Sequence, residues 1–243
     1  MRVSLFITCL VDQFHPEVGL GMVRVLDRLG VECDVPLEQT CCGQPAFNSG
    51  CTAEARAVGR RFLKAFRDSN TIVAPSGSCT AMAKVHLSSL FAPGTPEHTE
   101  ARSIAARVHE FSEFIVKRLR VTDVGAVFPH RVTYHDSCHL LRELGIRDEP
   151  RQLLGGVRDL ELVEMATADT CCGFGGTFAV KYPEISAAMG GDKLAAVDGT
   201  GAEFLVANDT GCLMHLRGLL ARRNSPVRAV HLAQILAGEV TGG

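Results

Sequence analysis

The stretch Asp169-Thr170-Cys171-Cys172-Gly173-Phe174-Gly175-Gly176-Thr177-Phe178 places two adjacent cysteines ahead of a glycine-rich turn. Neither glycine nor a thiol pair builds a helix or strand well, so the segment reads as a loop. It is a loop suited to metal: vicinal thiolates can face one ion or cluster, and glycine lets the backbone approach closely. A counterpart, Thr40-Cys41-Cys42-Gly43-Gln44-Pro45, stands 130 residues upstream and points to an internal repeat.

Working outward from the two pairs confirms the repeat. Thr8-Cys9 precedes the first pair as Ser137-Cys138 precedes the second, and Ser76-Gly77-Ser78-Cys79 follows the first as Asp209-Thr210-Gly211-Cys212 follows the second. The two copies read C-x31-C-C-x36-C and C-x32-C-C-x39-C, which brings eight of the ten cysteines into register. The tails match too, Val108-His109-Glu110-Phe111 against Val230-His231-Leu232-Ala233. Two domains are therefore expected, residues 1–125 and 126–243, each long enough for its own core.

Composition narrows the class. A 46% hydrophobic chain without tryptophan has an ordinary core, and a net charge of −2 gives no footprint for nucleic acid or an anionic membrane. No apolar run reaches the ~18 residues of a membrane span. The opening Met1-Arg2-Val3-Ser4-Leu5-Phe6-Ile7-Thr8-Cys9 is too short in its apolar part for a secretory signal, and Asp12 and Glu17 follow it, so it reads as a first strand. Ten cysteines without such a signal point to metal or redox work in a reducing, cytoplasmic compartment rather than to a disulfide framework.

The periodicities alternate. Val3 to Thr8, Val31 to Val35 and Thr71 to Ala74 read as buried strands, and Val18, Met22, Val25, Leu26 and Leu29 mark one helix face stopped by Gly30. Ala55, Val58, Phe62, Ala65 and Phe66 mark a second, and Ser76 or Ser78 caps a third. Phe91 to Glu100 reads as a loop peculiar to the first copy, Ala101 to Leu119 as a closing helix, and Asp123 to His130 as the linker. The second copy repeats the order, with strands at 131–135, 160–165 and 203–207, a helix start at Pro183 and a last helix through Leu213, Leu216, Leu219 and Leu220. The expected fold class is α/β: two similar tandem α/β domains with mostly parallel sheets and right-handed crossovers.

In that fold Cys9, Cys41, Cys42 and Cys79, and likewise Cys138, Cys171, Cys172 and Cys212, all follow carboxyl ends of strands, where open parallel sheets bind ligands. Cys79 and Cys212 also fall in a first helical turn, which favours a thiolate. Converging thiolates need a cation. Tetrathiolate zinc sites use C-x2–4-C knuckles, absent here, whereas iron–sulfur clusters accept widely spaced cysteines. Spacing favours clusters and leaves zinc open. Cys33 and Cys51 have no counterparts and read as non-ligands. His135 and His139 flank Cys138 and either tune a centre, move protons or bond structurally; His109 and His231 read as helix caps, and Arg217-Gly218-Leu219-Leu220-Ala221-Arg222-Arg223 as a solvated helix face.

These segments resemble the cysteine-rich CCG family shared by heterodisulfide reductase B subunits and glycolate oxidase iron–sulfur subunits. Ser4-Leu5-Phe6-Ile7-Thr8-Cys9-Leu10-Val11-Asp12, Cys41-Cys42-Gly43-Gln44-Pro45-Ala46-Phe47-Asn48-Ser49-Gly50, Pro75-Ser76-Gly77-Ser78-Cys79 and Cys171-Cys172-Gly173-Phe174-Gly175-Gly176-Thr177-Phe178 are most similar to its lactate-utilization branch. That resemblance implies an iron–sulfur electron-transfer component of a three-part cytoplasmic system oxidising L-lactate to pyruvate. Two companion lactate-utilization proteins would be its partners, and the chain alone would not be the complete enzyme. In the heterodisulfide reductase branch the repeat ends in C-x-x-C; here the earlier position is Ser76 or Asp209. Four thiolates per half then imply one [4Fe–4S] cluster each, with zinc possible in one half, and count against disulfide-cleaving chemistry. The alternatives are a thiol–disulfide redox subunit and a zinc-stapled scaffold.

Overall fold

A computed structural model of the chain describes residues 1–238 and Val240. Each half is a four-stranded, wholly parallel sheet. In the first, β1 (Arg2–Leu5), β2 (Glu32–Asp34), β3 (Ile72–Ala74) and β4 (Val108–Glu110) take the order β2-β1-β3-β4. In the second, β5 (Arg131–Tyr134), β6 (Glu161–Leu162), β7 (Phe204–Ala207) and β8 (Arg228–His231) take the order β6-β5-β7-β8. The registers correspond: Leu5 opposite Val73 answers Tyr134 opposite Val206, and Ala74 opposite Glu110 answers Ala207 opposite His231. The tandem α/β architecture is as the repeat implied.

Helices return the chain between strands for reasons visible in their ends. After α1 (Cys9–Phe14), α2 (Pro16–Arg28) has Pro16 in its first turn, Glu17 at its positive end and Arg28 at its negative end. Gly30, at φ +71°, then turns the chain into β2. α3 (Gln44–Asn48) follows the first cysteine pair, and α4 (Thr52–Phe66) buries Ala55, Phe62, Leu63 and Phe66 along one stripe. After β3, α5 (Gly77–Ala81) is capped by Ser76, whose hydroxyl accepts from the Cys79 N–H; such a cap contributes about 1 kcal/mol.

Strand alternation divides the core. Val3, Leu5 and Val73 face one side and Phe6, Ile72 and Ala74 the other; in the second sheet Val132, Tyr134, Phe204 and Val206 oppose Leu205 and Ala207. The first set joins α2, α8 (Asp148–Gly155) and α12 (Leu232–Ala237) in one core common to both halves. The second set packs against each half's own helices: Phe6, Phe62 and Phe66 meet edge-on or tilted at 4.7–5.5 Å, and Leu205 meets Leu194, Leu213 and Leu216. Leu194 lies on α10 (Pro183–Asp198), and Leu213 and Leu216 on α11 (Thr210–Arg222).

Three expectations are corrected. The single helix expected over 101–119 is α6 (Pro96–Ala105), strand β4, and then α7 (Phe111–Glu113) running into a π-helical stretch, Phe114–Leu119. A three-residue strand is too short to show alternation, and only its pairing with β3 stabilises it. β8, four residues long, is likewise held by its pairing with β7. The segment 91–100 is also less irregular than expected, because Thr95 caps α6 through the His98 N–H and Pro96 starts it. Of the two histidines read as caps, His231 does cap α12, but Glu110 rather than His109 holds the equivalent place and caps α7.

The halves are tied through these capping residues. Asn208 donates to the Glu110 carboxylate at 2.9 Å, and His231 Nε2 donates to the Pro75 carbonyl at 2.7 Å, so each fourth strand reaches the loop after the other half's third. Burial lifts Glu110 to about 7 and lowers His231 to about 4. Arg217, read as solvated, donates to the Ala229 carbonyl and to His15 Nδ1 at 2.9 Å, joining α11 to the first half. Among the described residues no helix is long and apolar enough to cross a membrane.

Candidate metal centre

All eight repeated cysteines line a single crevice of about 200 Å³ at the carboxyl ends of both sheets. Cys9 opens α1 directly after β1, Cys41 and Cys42 end the loop after β2, and Cys79 lies in α5 after β3. Sulfur contacts run along the group: Cys9 to Cys41 at 3.7 Å and Cys42 to Cys79 at 3.5 Å, with Cys41 hydrogen-bonded to Cys42. The second half repeats the chain of contacts, Cys138 to Cys171, Cys171 to Cys172 and Cys172 to Cys212. The sequence-derived groups are thus brought together completely. Cys33 instead sits in β2 against the Val31 carbonyl and Cys51 is exposed, both outside the crevice.

The glycine after each pair has a definite task. Gly43 and Gly173 adopt φ +88° and +91°, which turns their N–H groups back onto the Cys41 and Cys171 sulfurs at 3.4 Å. A side chain there would be strained, and at Gly173 a Cβ would come within 2.5 Å of the Ser186 carbonyl. Each leading cysteine becomes the anion of its group. Hydrogen bonds from Cys42 and Cys9, with the Gly43 N–H, hold Cys41 down at about 2; bonds from Cys138 and Cys172, with the Gly173 N–H, do the same for Cys171. Their neighbours are driven the other way. Hydrogen bonding to Cys41 and burial raise Cys9, and bonding to Cys171 and burial raise Cys138.

Each group therefore favours one thiolate and resists further ionisation, because burial and like charge oppose it; beside the second group the Lys193 ammonium offsets only part of that charge. A soft cation supplies the counter-charge, and four thiols are a donor set for zinc or an iron–sulfur cluster. The helix-terminus expectation fails at Cys212. Its bond with Cys172 lowers it, but burial and the charges of Asp209 and Cys171 outweigh that and raise it.

Around the sulfurs the two halves interlock. Asp209 Oδ2 accepts from the Ser78 N–H at 2.8 Å and the Ser76 hydroxyl at 3.2 Å, while Oδ1 caps α11 through the Gly211 N–H at 3.1 Å. Ser76 and Asp209 thus bond each other across the seam. Gly77 permits the close approach: a Cβ would lie 2.7 Å from that of Leu140. His139 sits with Nδ1 3.5 Å from Cys138 Sγ and Nε2 3.4 Å from the Gln44 amide nitrogen, bridging the halves at the crevice. His135 is buried and held at about 3 by that burial, so its ring is neutral. Lys193 was not singled out from sequence. It shares a buried helix face with Gly190, Leu194 and Val197, and its ammonium donates to the Thr167 and Ala168 carbonyls beside the second group. A lysine in a helix whose apolar residues are spread round its circumference carries no signal of burial.

Two four-stranded parallel units, each presenting four cysteines to a common crevice, define a tandem cysteine-rich protein. The cysteine-rich domain family (CCG) matches the chain twice, over residues 3–84 and 132–217. Lactate utilization protein A of Geobacillus kaustophilus is 46% identical over 237 residues, covering 97% of this chain and 98% of that one. Those of Oceanobacillus iheyensis and Bacillus subtilis are each 45% identical, covering 100% and 97% of this chain and 99% of theirs. The chain belongs to the lactate utilization protein A family. Among solved structures, a hypothetical protein from Helicobacter pylori superposes with a TM-score of 0.71 at 11% identity, a likeness of fold alone. The match covers 99% of this chain and 49% of that one, so the chain spans about half its length.

Proposed function

We propose that the chain is the iron–sulfur electron-transfer subunit of a multi-protein system that oxidises L-lactate to pyruvate. The observation that carries this reading is the opening of two four-cysteine groups into one crevice, which suits two redox centres in one electron path. Cys9, Cys41, Cys42 and Cys79 would hold one centre and Cys138, Cys171, Cys172 and Cys212 the other; when bound, an iron–sulfur cluster supplies one-electron transfer. The family's printed name supports lactate utilization, and full-length relatives support a role for the whole chain.

The residues themselves do defined work. Gly43 and Gly173 fix an N–H on the leading thiolate of each pair, and Asp209 with Ser76 holds the halves in register. His139 closes one side of the crevice against Gln44. Lactate turnover is expected only when the two companion proteins are present. Zinc in one half is a second reading, favoured by the sulfur separations: a tetrahedral ion with zinc–sulfur bonds of ~2.3 Å sets its thiolates ~3.8 Å apart, close to the 3.5 and 3.7 Å of the first group.

Reconstitution tests the assignment. The isolated protein should show reversible visible bleaching with dithionite and negligible pyruvate formation from L-lactate, with turnover appearing once both companion proteins are added. Substantial turnover by the chain alone would refute the carrier role and put a substrate pocket in this crevice.

A further inference from the structure

The two halves differ at one position beside the sulfurs. Strand registers make Phe6 and His135 equivalent, each following the last paired residue of its strand and each three residues ahead of a repeated cysteine. Phe6 is fully buried and packs edge-on against Phe62 at 5.0 Å and Phe66 at 5.5 Å, as a core residue does. His135 is 1% exposed, and neither ring nitrogen closes a well-formed hydrogen bond among the described residues; the one polar group in weak reach is the Ala168 carbonyl. The Ala168 carbonyl beside it already accepts from the Asp136 N–H at 3.0 Å and the Lys193 ammonium at 3.2 Å.

A buried imidazole gives up its hydration, and that loss goes uncompensated unless something takes its lone pair. What stands nearest is sulfur: one ring nitrogen of His135 and the sulfurs of Cys172 and Cys212 all lie within 4.8 Å of one another. Three soft or borderline donors from a strand end, a loop and a helix, converging on one point, are the makings of a coordination shell.

We propose that His135 is a ligand of the metal centre in the second half, beside Cys172 and Cys212, so that the two halves hold chemically different centres. The proposal rests on the reading that the second group holds metal. With His135 standing in for Cys138 as the fourth donor, beside Cys171, Cys172 and Cys212, the shell carries a neutral imidazole in place of a thiolate and one negative charge fewer. In an iron–sulfur centre that shift favours reduction, so electrons would run from the first half to the second. A mixed cysteine–histidine shell is equally one that zinc accepts. The first half cannot do the same, because Phe6 offers no donor.

X-ray absorption at the metal edge reads the ligand directly, since an imidazole ring gives outer-shell scattering that thiolates lack. The full chain carrying Cys41→Ser and Cys42→Ser, which leaves the second group intact, should show about one imidazole per zinc ion, or one per four iron atoms if the centre is a [4Fe–4S] cluster. His135→Phe in that background should abolish the ring scattering and raise the fraction of metal removed by a chelator at least tenfold. His135→Cys should restore retention with an all-sulfur shell, and far-UV circular dichroism checks that each variant is folded. His139→Ala should leave the ring scattering unchanged. Metal bound without ring scattering, or scattering that survives His135→Phe or disappears with His139→Ala, would overturn the proposal and leave the metal reading standing. A second group that binds no metal at all would overturn both.

Discussion

Replacing Asp209 with alanine removes two things at once, and the structure sizes each. The Oδ1 bond to the Gly211 N–H caps α11, worth about 1 kcal/mol. The Oδ2 bonds to the Ser78 N–H and Ser76 hydroxyl are buried, charge-assisted contacts between the halves, worth about 2 kcal/mol together because the Ser78 N–H is left without its partner. The expected loss is about 3 kcal/mol, which for a chain of this length lowers the melting temperature by roughly 6–12 °C. Asp209→Asn keeps an oxygen for the cap and loses the charge, so it should cost about half as much. The assay is urea unfolding followed by circular dichroism, with wild type and variants matched in metal content. A loss for Asp209→Ala of no more than about 1 kcal/mol, the cap alone, would refute the claim that this carboxylate holds the seam.

Two further outcomes follow from the same geometry. His231 titrates at about 4 in the folded chain against its ordinary 6.5, so its contribution is complete above pH 6.5 and is lost as pH falls toward 4, by about 3 kcal/mol. Relative to His231→Asn, wild-type stability in urea should fall by that amount between pH 7 and pH 4; parallel profiles would show that the histidine is not buried neutral against the Pro75 carbonyl. Cys171→Ser or Cys172→Ser should remove the second group's metal and leave the first group's content unchanged, because a hydroxyl is a poor substitute for a soft thiolate. Elemental analysis decides this, and simultaneous loss from both groups would mean one shared centre.

The cysteine framework was legible because the repeat is covalent information: eight thiols in matching register need no tertiary knowledge to be grouped. The strands beneath them were legible where apolar runs were long enough, as at Val3 to Leu5 and Phe204 to Ala207. β4 and β8 were not, since Val108-His109-Glu110 and Arg228 to His231 owe their extended form to pairing with β3 and β7. That omission misaligned the tails by one residue, hiding the equivalence of Glu110 and His231. The facing of both groups into one crevice was also hidden. It depends on how Gly77 meets Leu140 and Asp209 meets Ser76, contacts between residues more than 60 positions apart. His135 attracted notice only as a neighbour of Cys138, and its distinction from Phe6 emerges once the strands are in register.

The most direct test of the central claim is the iron, acid-labile sulfide and zinc content of anaerobically purified full-length protein, read together with its visible spectrum before and after dithionite. Two cysteine groups holding [4Fe–4S] clusters predict about eight iron and eight sulfide per chain and a broad absorption that bleaches on reduction. Zinc in both groups, with no sulfide and no redox-active absorption, would contradict the electron-transfer account and leave a zinc-stapled scaffold in its place.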